Sequence, residues 1–182
     1  MSLFFTIGHS TRSLDEFVAL LQEASVRRVV DVRSIPWSRK NPQYNHDQLP
    51  ESLAGFQIGY AHIPALGGRR NRAHEVSDMV NGYWRVAGFH NYADYALTPE
   101  FSEGLAQLRK IGAQERCAYM CAEAVWWRCH RRIITDWLIA AGDEVCHILG
   151  PDHIDPASLT HAAVVDDNGR VTYPPAPDEA PN

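Results

Sequence analysis

The run Cys117-Ala118-Tyr119-Met120-Cys121, continued by Ala122-Glu123-Ala124-Val125-Trp126-Trp127-Arg128-Cys129-His130-Arg131-Arg132, decides the fold. The first five residues form an apolar run of strand length, the pattern of a strand buried on both faces. Beyond the polar loop, Ile133, Ile134, Trp137, Leu138 and Ala141 recur at helical spacing until Gly142 stops them. A buried strand feeding a helix is the repeating unit of an α/β sheet. Its loop carries two thiols, a carboxylate, an imidazole and three guanidinium groups. Open α/β proteins place their sites there, beyond the carboxyl ends of strands.

Working outward, the same alternation recurs. Phe4-Phe5-Thr6-Ile7 reads as a strand that ends in the polar loop Gly8-His9-Ser10-Thr11. Ser13 and Glu16 have capping-box spacing, and Leu14, Phe17, Val18, Leu21 and Ala24 then mark one helical stripe. Val29-Val30-Asp31-Val32 is a β-branched run with a charge inside it, and a short helix is expected from Gln48 to Ala54. Tyr60-Ala61-His62-Ile63 gives a third strand, ended by Pro64 and then by Gly67-Gly68. Residues 67 to 96 show no clean period and are expected to form a loop with one or two short helices. Thr98-Pro99 supplies a cap and a first-turn proline for a helix through Phe101, Leu105 and Leu108. Glu144 to Leu149 reads as another strand. Val164-Val165 and Val171-Thr172-Tyr173, separated by Asp166-Asp167-Asn168-Gly169, read as a hairpin. The expected fold is therefore α/β: a three-layer, Rossmann-like sandwich with a mostly parallel sheet flanked by helices, plus a C-terminal hairpin appendage. One domain spans residues 1–173, and the Pro-rich end from Pro174 to Asn182 is expected to be disordered.

Composition narrows the function classes. A 45% hydrophobic and 21% charged chain of 182 residues is ordinary for a globular protein with a substantial core. No apolar run approaches the roughly 20 residues needed to cross a bilayer. The strand-like N-terminus lacks the basic flank and apolar core of a signal peptide. The expected location is the cytoplasm, where Cys117, Cys121, Cys129 and Cys146 stay reduced. Cys121 with Cys129 is the one pair that could close, as a redox switch. A net charge of −5 argues against a generally basic nucleic-acid coat. Yet only Lys40 and Lys110 among the 17 basic residues are lysines; the rest are arginines, suited to bidentate binding of phosphate or carboxylate.

Parallel strands finish on one edge, so Gly8-His9-Ser10, Asp31-Val32-Arg33, Gly67-Gly68 and Cys121-Ala122-Glu123 should converge. Asp31 and Arg33, two apart on a strand, form either a buried ion pair or part of an anion grip made by Arg33 and Arg39, with Asp31 orienting one of them. Cys121, just beyond a strand, and Cys129, at a helix start where the dipole favours a thiolate, are the candidate nucleophiles or redox thiols. The intervening loop has no glycine and does not match the cradle of cysteine phosphatases or rhodanese-type sulfurtransferases. Cys121, Glu123, Cys129 and His130, with His9 or His62, could instead furnish metal ligands, although their spacing matches no compact zinc pattern. The Arg- and aromatic-rich segment from Arg69 to Tyr95 is either a surface for stacking bases or a lid packed on the domain.

Several of these blocks together resemble the family catalogued as domain of unknown function 488. They are Thr6-Ile7-Gly8-His9-Ser10; Val30-Asp31-Val32-Arg33 with Pro36 and Ser38-Arg39; Tyr60-Ala61-His62-Ile63-Pro64 with Leu66-Gly67-Gly68; Gly88-Phe89 with Tyr92; and Met120-Cys121-Ala122-Glu123 with Cys129-His130-Arg131-Arg132. The bulky link Ala124-Val125-Trp126-Trp127 departs from the polar link of that pattern. The resemblance implies a compact α/β domain with its signature residues gathered at one site, and it implies no reaction. The catalytic set is then Cys121, Glu123, Cys129 and Asp31. The binding set is His9, Ser10, Arg33, Arg39, Gly67, Gly68, Tyr92, Arg128, His130 and Arg131. The function expected is an enzyme acting on an anionic, phosphate-bearing substrate such as a nucleotide or nucleic acid. The alternatives are a non-catalytic module binding the same partners, or a metal-dependent protein using the Cys, Glu and His set. The sequence implies no particular cofactor, no membrane partner and no oligomeric state.

Overall fold

The structure, a computed structural model, describes residues 1–177. Residues 178–182, the end of the expected disordered tail, lie outside the described residues. The chain forms a three-layer α/β sandwich built on a six-stranded, mostly parallel sheet, with a small antiparallel hairpin near the C-terminus. Strands β1 (Leu3–Gly8), β2 (Arg28–Asp31), β3 (Gly59–His62), β4 (Cys117–Cys121), β5 (Glu144–Gly150) and β6 (His153–Pro156) lie in the order β3-β2-β4-β1-β5-β6. All neighbours pair in parallel except β5 with β6. The edge strand β6 carries no sequence signal of its own: His153-Ile154-Asp155-Pro156 is polar, short and ends in proline, as a protected edge does.

The strand order follows from crossover handedness. Connections β1-α1-β2 and β2-α2-β3 run toward one edge, through α1 (Leu14–Glu23) and α2 (Leu49–Ala54). The return from β3 runs through α3 (Ala87–Tyr95) and α4 (Pro99–Gln114) to β4, and from β4 through α5 (Arg131–Ala140) to β5. Reversing direction with right-handed crossovers puts the two groups of helices on opposite faces. The core shows this division. Phe5, Ile7, Val29, Ala118 and Met120 pack with Phe17, Leu21, Leu49 and Leu53. Phe4, Val30, Val32, Cys117, Tyr119 and Cys121 pack with Tyr92, Phe101, Leu105, Ile133 and Leu138. Alternate residues of each strand serve alternate layers. β4 is buried along its whole length, as its apolar sequence requires at the middle of the sheet.

Local signals operate as their chemistry dictates. Ser13 and Glu16 form a complete capping box on α1, and the Thr98 side chain accepts the Phe101 N–H ahead of α4, with Pro99 in the first turn. The 67–96 segment is a loop that resolves into one helix, α3. Its aromatics mostly turn inward: Trp84, Tyr92 and Tyr95 are buried, and Trp84 stacks on Phe89 with ring centroids 4.9 Å apart. The hairpin of β7 (Val164–Val165) and β8 (Val171–Thr172) is tied to the core rather than loosely attached. Val171 and Tyr173 are fully buried, the Tyr173 hydroxyl donates to Asp136 on α5 (2.7 Å), and the Thr160 N–H donates to the same carboxylate (2.8 Å).

Candidate functional site

β1 and β4 are neighbours whose onward connections leave to opposite faces of the sheet, which makes the gap between their carboxyl ends the topological switch point. Gly8 sits in register with Cys121 there. A side chain at Gly8 would place its Cβ 1.8 Å from the Glu123 carbonyl oxygen, so the two strand ends meet only because residue 8 has none. The pairing then runs on past the strands, with the His9 N–H donating to Cys121 (2.9 Å) and the Ser10 N–H to Ala122 (3.0 Å).

A cleft of about 570 Å³ opens over this point, large enough for a nucleotide-sized ligand. Of the residues expected from sequence, His9, Arg33, Gly68, Cys121, Glu123, Arg128, Cys129 and His130 line it. Asp31, Tyr92, Gly67 and Arg131 lie behind this lining, where they hold it in place, and Ser10 and Arg39 also lie outside it. The sequence reading did not single out Ser34, Ile35, Trp37, Asn41 and Val86, which complete the wall with Ser38, Arg69 and Phe89 from the family blocks and the Arg- and aromatic-rich segment. Apart from Phe89 on α3 and Val86 at its N-cap, they come from irregular segments after β2 and β3, where no periodicity marks direction. Ile35 and Trp37 are 57% and 50% exposed, an apolar lip that only the folded chain reveals.

One wall is built on Asp31. Its carboxylate takes two N–H groups of Arg33 side by side, from Nε at 2.9 Å and from Nη2 at 2.7 Å, and the Tyr60 hydroxyl also donates to it. The Arg33 Nη2 reaches the Tyr44 carbonyl as well (2.6 Å). Arg33 Nη1 approaches His9 Nε2 at 3.3 Å, while His9 Nδ1–H donates to the Ser10 carbonyl at 2.8 Å. These partners fix the neutral tautomer of His9, with Nε2 as acceptor. Burial, with Arg33 alongside, pulls the His9 pKa down to about 4, and the ring stacks on Tyr44 at 4.2 Å. Asp31 and Arg33 form a buried ion pair, and Arg33 lines the cleft.

The floor is different. Arg131, 1% exposed, sends Nε to Cys121 Sγ (3.0 Å), Nη1 to Thr6 Oγ1 (2.8 Å) and Nη2 to the Glu123 carbonyl (2.7 Å). Among the described residues no carboxylate forms an ion pair with it. The Glu123 carboxylate itself is on the exposed rim, and the residue meets Arg131 through its backbone carbonyl. The sulfur of Cys129 lies 2.7 Å from that of Cys121 and accepts the Arg131 backbone N–H at 3.4 Å, at the start of α5. Both are free cysteines. Burial works against a thiolate at either, but the Cys121 hydrogen bond and the Arg131 charge bring the Cys129 thiol down to about 7. Burial and the neighbouring Cys129 push Cys121 well above the usual thiol range. Within the buried pair the environment thus favours a thiolate at Cys129 over one at Cys121, with the Arg131 guanidinium alongside.

His130 completes the floor. Its Nε2–H donates to the Val32 carbonyl (2.7 Å), which leaves Nδ1 as a bare acceptor 3.4 Å from Cys129 Sγ. Burial lowers its pKa below the ordinary histidine value, so the acceptor is kept unprotonated near neutral pH. Tyr92 packs edge-on against the ring at 5.0 Å and donates its hydroxyl to the Leu66 carbonyl (2.8 Å). A Cβ on Gly68 would fall 2.5 Å from His130 Nδ1, so the glycine turn exists to let the imidazole in. Trp126 of the bulky link stacks flat on His147 at 4.4 Å, and His147 accepts from Thr6, itself an Arg131 partner. The departure from a polar link therefore caps the buried arginine network from outside.

Among the described residues no group of three or more His, Cys, Asp or Glu side chains is placed to hold a metal ion, because the sulfurs face Arg131 and the Glu123 carboxylate points outward. No helix there is long and apolar enough to cross a membrane. No curated protein and no solved structure matches the chain. A family profile does match, over residues 13–138, and its description is domain of unknown function DUF488. That span holds Arg33, Cys121, Glu123, Cys129, His130 and Arg131 and stops short of Gly8 and His9 on one side and His147 on the other. The chain belongs to the DUF488 family.

Proposed function

We propose that the protein is an enzyme that acts on an anionic, phosphate-bearing substrate of nucleotide type, with Cys129 as its nucleophile. The observation that carries this reading is the position of the Cys129 sulfur. It lines the cleft, with the acceptor Nδ1 of His130 at 3.4 Å and the buried Arg131 beneath. A nucleophile, a base and a fixed positive charge within reach of one another are the parts covalent catalysis needs. His130 Nδ1 takes the thiol proton and the sulfur bonds to the substrate's electrophilic centre; the bond from that centre to the leaving group breaks, and the leaving group takes the proton from His130. Glu123, free on the rim, serves the proton of the incoming water that releases the product. Arg69 and Arg128 on the rim and the Nη1 edge of Arg33 supply positive charge for the phosphate. Trp37 and Phe89 offer aromatic faces to a base. Reduced thiols at this position suit the cytoplasm.

The test is turnover of nucleoside mono-, di- and triphosphates by the purified chain, followed by product analysis. Wild-type turnover that disappears in Cys129→Ser, with the fold intact, is the expected result. Turnover unchanged in Cys129→Ser overturns the reading. The exposed Trp37, which lines the same cleft as Arg69 and Arg128, favours one second reading, a non-catalytic nucleotide-binding module. Nucleotide binding equal in wild type and Cys129→Ser, without turnover of any of them, selects it.

A further inference from the structure

Nothing in single-thiol catalysis requires the second sulfur, yet Cys121 is held 2.7 Å from Cys129 on the strand that ends at the cleft. We propose that Cys121 and Cys129 form a catalytic dithiol that reduces hydroperoxides, with Cys129 as the attacking sulfur and Cys121 as the resolving one. The inference rests on the reading above in one respect, that Cys129 carries the thiolate.

Three features of the site carry it. Only Cys129 has the acceptor His130 Nδ1 beside it, so the two sulfurs are not equivalent: one is activated and the other waits. A bonded sulfur pair stands about 2.05 Å apart, so from 2.7 Å the two sulfurs close the bond by moving less than an ångström toward each other. The third feature is Arg131. Its guanidinium is buried, has no carboxylate partner among the described residues, and donates through Nε to Cys121. Closing the disulfide removes the thiolate charge that faces that cation and leaves it with Thr6 and the Glu123 carbonyl. A buried uncompensated charge is costly, so the reduced state is favoured and the disulfide is readily reopened. This is the property of a couple that turns over and not of a structural bridge.

The chemistry balances as follows. The Cys129 thiolate attacks the terminal oxygen of a hydroperoxide; the sulfur–oxygen bond forms, the oxygen–oxygen bond breaks, and the alkoxide leaves with a proton from solvent as an alcohol. Cys129 is then a sulfenic acid, oxidised by two electrons. The Cys121 sulfur attacks it; the sulfur–sulfur bond forms, and hydroxide leaves with the Cys121 proton as water. Two thiols and one hydroperoxide have become one disulfide, one alcohol and one water. A small dithiol reductant returns the pair to the starting state by exchange.

The experiment treats the fully reduced chain at pH 7 with one equivalent of hydrogen peroxide, counts free thiols after denaturation and maps the bonds by peptide mass spectrometry. The expected result is loss of two of the four thiols and a Cys121–Cys129 disulfide that dithiothreitol reopens. In Cys121→Ser a sulfenic acid should persist on Cys129 and be trapped by dimedone. In Cys129→Ser peroxide consumption should fall by at least about tenfold, since the remaining thiol lacks thiolate character. Oxidation confined to Cys117 or Cys146, or an undiminished rate in Cys129→Ser, overturns the inference. Adenosine monophosphate titrated in parallel separates the two readings. Disulfide closure with no sign of nucleotide binding overturns the phosphate reading alone. Nucleotide binding with all four thiols surviving the peroxide overturns the dithiol alone.

Discussion

Two arginines sit buried at the same edge of the sheet and are held in opposite ways. Arg33 faces a carboxylate, Asp31, and the pair is joined side by side with Tyr60 and Tyr44 completing its hydrogen bonds. Arg131 faces two sulfurs, whose charge depends on protonation and oxidation state. The first arrangement is a permanent brace for the wall of the cleft. The second is responsive, because the environment of the guanidinium changes whenever the thiols change. A buried cation with a variable counter-charge is costly as architecture and useful as chemistry.

Removing the fixed partner should have the largest effect. Asp31→Asn leaves the Arg33 charge buried without its carboxylate, so a loss of about 3–5 kcal/mol is expected, seen as a melting temperature lower by roughly 10 °C. An unchanged melting temperature would break the claim that this pair is a brace.

Acidification comes next. His9 and His147 are both held down to about 4, chiefly by burial. An unfolded histidine titrates near about 6.5. Below that value the unfolded chain binds protons that the folded one refuses. Stability is therefore full above about pH 6.5 and is lost as the pH falls to the folded value, by at most about 3 kcal/mol per histidine. Urea denaturation between pH 7.5 and 4.5 should show the decline, and His147→Gln should flatten it. A His147→Gln profile as steep as wild type would detach His147 from the Arg131 network in this respect.

Arg131→Met sharpens the contrast directly. The sulfurs it leaves can take up a proton and become neutral, unlike Asp31's abandoned partner. The expected cost is about 1–3 kcal/mol, from the unpaired Thr6 and Glu123 oxygens, smaller than for Asp31→Asn. The midpoint of Cys129 alkylation by iodoacetamide should rise from about 7 toward the ordinary thiol range. A midpoint that stays put would show that the guanidinium is not what holds the thiolate.

Glu123→Gln should change stability least, within about 0.5 kcal/mol, because its carboxylate is exposed and its carbonyl, which does bind Arg131, is untouched. Turnover should fall sharply all the same. A variant that melts well below wild type while working normally per folded molecule would make Glu123 a structural residue.

The sequence by itself determined the layers and the edge. The apolar run at β4, the capping box at Ser13, the Thr98-Pro99 start and the alternation of strands with helices are local patterns, and local patterns survive in a linear reading. Parallel pairing then obliged Gly8, Arg33 and Cys121 to finish on one side. Only the tertiary structure decided what each of these groups faces. That Arg131 would meet sulfur and not Glu123, that Gly68 would clear space for His130, and that Ile35 and Trp37 would form the lip depend on contacts between segments distant in the chain. The physical reason is that a guanidinium or a thiol carries its chemistry wherever it lies, while its charge state and partners are set by burial and by neighbours that no spacing encodes.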